Sequence, residues 1–187
     1  MKRVITVAVA LLLCLSIALP LGANASIFES PEDLQSLEVK KVAMEGLDVS
    51  LNDCVLITTV EEAKSGNPDI TAEEKAALLA AYDALVDGSE ALPIDGEYAV
   101  REIVDISFKY NACRMQADHG QKDEALKAEG VTVSIDFAMG VEADAKVAVF
   151  TYIDGKWNEI VSAVNNGDGS VTCVFEDLCP VAFAVLG

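Results

Sequence analysis

Residues 131–187 hold β-patterned runs so closely spaced that antiparallel sheet is the natural way to fold them. Val131, Val133, Ile135 and Phe137 alternate with polar neighbours, the period-two pattern of a strand with one buried face. Runs at 145–153 and 156–164 flank Asp154-Gly155. Asp-Gly between two such runs is a strong hairpin signal, because both turn residues must take positive φ. Asn166-Gly167 and Asp168-Gly169 repeat that signal before a run at 170–175, and Val181, Phe183 and Val185 close the chain. About five successive strands joined by tight turns imply a meander or Greek key, most simply an antiparallel β-sandwich.

The preceding part mixes helix and strand. Thr71 and Glu74 form a capping box for a helix over 72–86, and Gly88 stops it. Leu78, Tyr82, Leu85 and Val86 are its expected sheet-facing stripe. Short runs at 47–51 and 55–59 read as strands. Over 98–110 the even positions are apolar except Glu102, which favours a strand with period two, although Val100–Val104 also suits a helical turn before it. Residues 111–130 are the most polar stretch and read as a connector, with a short helix expected near 122–128. The expected fold class is therefore α+β, with part 26–130 packed against part 131–187 as one unit.

Residues 1–25 have the three regions of an export signal. Lys2 and Arg3 precede an apolar run from Val4 to Leu19, and Ala23-Asn24-Ala25 supplies a small-x-small cleavage site. Pro20, Gly22 and that triplet favour cleavage after Ala25 over a retained anchor. Removing 25 of 187 residues leaves 162, enough for one well-cored domain. The signal takes two of 13 basic residues and none of 31 acidic ones, so the mature chain carries 11 against 31, a net charge of −20. Such a surface repels nucleic acid and anionic lipid. The expected protein is secreted or extracytoplasmic, soluble after cleavage, with a protein, glycan or envelope component as partner.

Candidate chemistry is sparse. Cys54, Cys113, Cys173 and Cys179 remain after cleavage and are the candidate disulfide cysteines. Two bridges and four buried thiols both fit the exported context. No Cys-x-x-Cys pair occurs and His119 is the only histidine, which argues against zinc. A hydrolytic role for His119 would need partners assembled from elsewhere in the fold. Asn165–Ser170 is rich in side-chain oxygens, but EF-hand spacing places Val164 and Phe175 at coordinating positions, so a metal-free turn is expected. Lys64-Ser65-Gly66 lacks the glycines of a phosphate loop. The 31 carboxylates offer too many pairs to single one out as glycosidase-like. Trp157 reads as a core anchor of the sandwich rather than a ligand contact. No metal, cofactor or catalytic residue is assigned.

Asp154-Gly155-Lys156-Trp157, Asn166-Gly167-Asp168-Gly169-Ser170-Val171-Thr172 and Cys179-Pro180-Val181-Ala182-Phe183-Ala184-Val185 resemble the C-terminal β module of uncharacterised secreted proteins of gut Clostridia and related Firmicutes. The resemblance covers roughly 131–185. It implies a surface or interaction role and supplies no catalytic residues. The expectation is a non-catalytic extracellular interaction or cell-surface module. A small secreted hydrolase and a calcium-stabilised structural domain are the alternatives. N-terminal sequencing of the exported protein is expected to begin at Ser26; a chain still starting at Met1 would overturn the cleavage assignment.

Overall fold

The computed structural model describes residues 37–44, 51–108, 132–160 and 162–186. Nine strands and two helices are found among them: β1 (Glu38–Met44), β2 (Val55–Thr59), α1 (Val60–Ser65), α2 (Ala72–Val86), β3 (Tyr98–Phe108), β4 (Val133–Ala138), β5 (Lys146–Ile153), β6 (Lys156–Glu159), β7 (Val164–Asn165), β8 (Ser170–Phe175) and β9 (Pro180–Leu186). The fold is α+β and mostly sheet, as its sequence pattern predicts. A four-stranded sheet runs β1-β4-β8-β7 and a five-stranded sheet runs β2-β3-β9-β5-β6, every pair antiparallel.

The order of layers follows from side-chain alternation in β9. Val181 and Phe183 enter a core shared with the four-stranded sheet, while Ala182 and Ala184 enter a second core shared with the helices. The first core is joined across the sheets by Phe137 of β4, whose ring meets Phe183 of β9 at 5.1 Å and Phe175 of β8 at 6.2 Å, both edge-to-face, the arrangement the ring quadrupoles favour. In the second core, Leu78, Ala81 and Leu85 of α2 rest near Val100, Ile103, Phe150, Ala182 and Ala184. Alanines on both surfaces bring the helix close to the sheet. The five-stranded sheet is thus the middle layer, covered on both faces, and its central strand β9 reads as a continuous apolar run.

Local chemistry sets the element boundaries. Asp154 and Gly155, at φ 53 and 76, make the left-handed turn between β5 and β6 that their sequence predicts. Thr71 and Glu74 cap α2 reciprocally, the Thr71 hydroxyl accepting from Glu74 N–H and Thr71 N–H donating to Glu74 Oε2 at 2.7 Å. Thr59 and Glu62 do the same for α1, which Gly66 ends at φ 94. The sequence reading missed that second box.

Other differences have physical causes. The break in alternation at Glu102 is a register shift in the β3–β9 pairing between Val100 and Glu102, so the strand is continuous from Tyr98 and no helical turn precedes it. An extra residue on one strand shifts the alternation from there on. At that shift Arg101 Nη1 donates to Met139 O at 2.7 Å. The run at 156–164 is two strands, because the chain leaves β6 at Glu159 and joins the other sheet at β7. On α2, Ala81 and Ala84 are buried instead of Val86, which is 48% exposed. Six described strands follow residue 131, and each sheet is completed by strands from before residue 109. The expected strand at 47–51 falls mostly outside the described residues, and Leu51 itself is buried outside any strand.

The close helix–sheet contact yields a test. Ala182→Leu is expected to destabilise by about 1–3 kcal/mol through overpacking, and Phe183→Ala by about 3–5 kcal/mol through cavity formation. Val86→Ser is expected to change little, within about 0.5 kcal/mol. Urea unfolding measures all three, and an Ala182→Leu protein as stable as the parent would show that the helices do not press on this face.

Candidate functional site

The residues singled out from sequence are scattered in the fold. Cys54 and Cys173 are buried in the core between the sheets, and Cys179 is a half-buried free thiol before β9. Burial foremost, then the nearby Asp136 charge, pushes the Cys173 thiol up to about 12. Burial and the Asp105 charge do the same to Cys179. Thiols so rarely ionised are poor nucleophiles. Cys113 and His119 lie outside the described residues. Lys64 Nζ sits 4.2 Å from the Tyr82 ring centre, a cation–π contact between α1 and α2. Trp157 is buried, but against the helices and Tyr152 rather than between the sheets.

The Asn165–Ser170 oxygens are engaged chiefly within their own turn, with Lys40 and Thr172 as neighbours outside it. Asn165 Oδ1 accepts from Gly167 N–H, and Asp168 Oδ1 accepts from both the N–H and the hydroxyl of Ser170. The hydroxyl and N–H of Ser170 hold Asp168 below the usual carboxylate range, with Lys40 at 3.5 Å adding to the effect. Gly167 and Gly169, at φ 76 and 83, supply the left-handed backbone. Among the described residues no three His, Cys, Asp or Glu side chains gather as a metal site.

Two features missing from the sequence reading stand out. The first is a cleft of about 270 Å³ at one open edge of the sandwich. It exists because β7 is only two residues long and pairs with Val171 and Thr172 alone. The later half of β8, paired with β4 on one side, therefore has no strand on its β7 side. Ile153 and Ile160 give it apolar surface beside the buried Phe175, and Val174, between the core residues Cys173 and Phe175, lines it at the edge of β8. Thr151, Asn158 and Ser162 line its walls, with Glu159, Glu176 and Asp177 at the rim. Ser162 Oγ donates to Val174 O at 3.1 Å and Asn158 Nδ2 to Lys156 O at 3.1 Å, which fixes two wall side chains. Glu159 pairs with Phe150, a helix-facing residue, so alternation turns its carboxylate away and leaves Glu176 and Asp177 as the cleft's acids.

The second feature is a buried polar row on the helix-facing side of the five-stranded sheet. Thr58, Asp105 and Pro180 are successive partners across β2, β3 and β9. Thr58 is fully buried and Asp105 is 2% exposed. Among the described residues Thr58 Oγ1 and Asp105 Oδ2 lack a hydrogen-bond partner, an expensive state for buried polar atoms. Burial, then the charge of Glu74 in the α2 cap, raises Asp105 to about 6 against a hydrogen bond from Ser107. Glu102, on the same strand, is raised by burial and by Glu62 of the α1 cap. Each helix thus places a capping glutamate near an acid of β3, the buried Asp105 for α2 and the half-buried Glu102 for α1. The sequence signal was an acid inside the apolar run Ile103-Val104-Asp105-Ile106.

The chain matches no protein-family model, no curated protein and no solved structure.

A folded carboxyl raised from 3.8 to about 6 favours the protonated native state, so its stabilisation is complete below about pH 4 and is lost as pH rises through about 6. The difference corresponds to about 3 kcal/mol. Asp105→Asn is expected to raise stability at pH 8 by up to about 3 kcal/mol and to leave it nearly unchanged at pH 4. Urea unfolding at the two pH values checks this, and a variant destabilised equally at both would show that the carboxylate is held favourably in its charged form.

Proposed function

We propose that this chain is an exported, non-catalytic interaction module that meets a macromolecular partner through the cleft beside β6 and β8. The observation that carries the reading is the cleft's construction. It opens outside both cores, its walls are fixed by hydrogen bonds to the main chain, and its apolar floor is rimmed by carboxylates. A concave apolar surface with a few placed polar groups is the usual form of a contact site. The signal-like residues 1–25 and the acidic composition support an extracytoplasmic setting. The resemblance of 131–185 to modules of secreted Firmicute proteins agrees with a surface role. The same acidity disfavours nucleic acid as a partner.

A hydrolytic or calcium-dependent role has no observation of this kind behind it. His119 lies outside the described residues, and the Asn165–Ser170 oxygens serve chiefly their own turn.

Fluorescently labelled exported protein is expected to bind washed cells of the organism that secretes it in a saturable manner. Val174→Arg, which places a long charged side chain at the β8 edge of the cleft, is expected to weaken that binding by about tenfold, or about 1.4 kcal/mol, without loss of fold by circular dichroism. Saturable binding that Val174→Arg leaves intact would remove the cleft from the contact surface.

A further inference from the structure

We infer that the cleft takes a lysine or arginine side chain carried on an exposed segment of a partner polypeptide. This rests on the reading of the cleft as the contact surface and names what enters it. Size is the first consideration. At about 270 Å³ the cleft falls below the roughly 300–1,000 Å³ of pockets that enclose small molecules, and it suits one long side chain.

Its chemistry is divided as such a side chain is divided. Ile153, 37% exposed, and the half-buried Ile160 offer apolar surface. Glu176 and Asp177, both exposed, stand at the mouth. Lysine and arginine lay an apolar stem along such a floor and keep the charged head at its end in water. The field of the whole chain points the same way, since a net charge of −18 over the full sequence draws cations toward the surface and speeds their encounter.

Competing ligands fit less well. A sugar calls for an accessible ring, but the cleft's aromatic residue, Phe175, is 1% exposed. An anionic group would face both carboxylates. A bound metal ion needs more ligands than the two acids, and no cluster of three metal-binding side chains occurs among the described residues. Lys156, the cross-strand partner of Ile153, is the basic residue nearest the floor by register, so removing its charge should strengthen the site.

The test is an amide NMR titration of the isotope-labelled exported protein with four probes: N-acetyl-arginine methylamide, the lysine and norleucine analogues, and chitotriose. The two cationic probes are expected to shift Ile153, Ser162, Val174 and Glu176 saturably, and added salt to weaken them. The double variant Glu176→Gln/Asp177→Asn is expected to bind them about tenfold more weakly, and Lys156→Gln more tightly, with spectra otherwise unchanged. Norleucine binding as well as lysine, or chitotriose alone shifting the cleft, overturns the cationic occupant while leaving the cleft as the contact surface. Cationic shifts scattered over the acidic surface, with the double variant unaffected, also overturn it. If no probe shifts the cleft and Val174→Arg also leaves cell binding intact, the contact-surface reading falls with it.

Discussion

Strand β9 is the element on which the rest of the structure depends. One side presents Val181 and Phe183 to the four-stranded sheet, and the other presents Ala182 and Ala184 to the helices. It also lies between β3 and β5, so it holds the centre of the five-stranded sheet. Large side chains on one face fill the space between two sheets, and small ones on the other let α2 approach the backbone. The same arrangement explains why polar groups on this sheet are under strain of environment. Thr58 and Asp105 sit on a layer covered from both sides, and the helix caps above β3 add glutamate charge where the sheet already carries the buried Asp105 and the half-buried Glu102.

Double coverage also determines where the middle sheet reaches solvent. A middle layer covered on both faces reaches solvent at its edges, and the edge beside β6 is where the second sheet stops short of covering it. The two-residue β7 leaves the end of β8 paired on its β4 side alone, and the chain between β6 and β7 crosses there from sheet to sheet. The cleft is a consequence of that crossing. Phe175 and Ile160 tie it to the core between the sheets, while Glu176 and Asp177 at its mouth are exposed. Clamps elsewhere keep the two sheets in place: Asn52 holds β1 through Val42 N–H and Lys40 O, and Arg101 holds Met139 O.

Much of the secondary structure was legible because it rests on neighbours in sequence. The α2 boundaries follow from the Thr71–Glu74 box, and the β5–β6 hairpin follows from Asp154-Gly155, since few other dipeptides accept two positive φ values cheaply. The division of 156–164 between two sheets was not legible, because both pieces carry β-type residues and only the partners differ. Trp157 shows the same limit. Its burial could be expected from size and setting, while the core it enters depends on which face of β6 meets the helices.

The candidate site was the least legible part. Glu176 and Asp177 are two acids among 31, and nothing in their neighbours distinguishes them. The sequence alone determined the acidic balance, the α+β class, the principal helix and the turns, because each depends on composition or on residues a few positions apart. Tertiary structure alone decided which strands share a sheet, that the central sheet is covered twice, and that Thr151, Ser162 and Asp177 meet around one cleft. Those outcomes depend on long-range pairing and packing, where residues distant in the chain compete for the same neighbours.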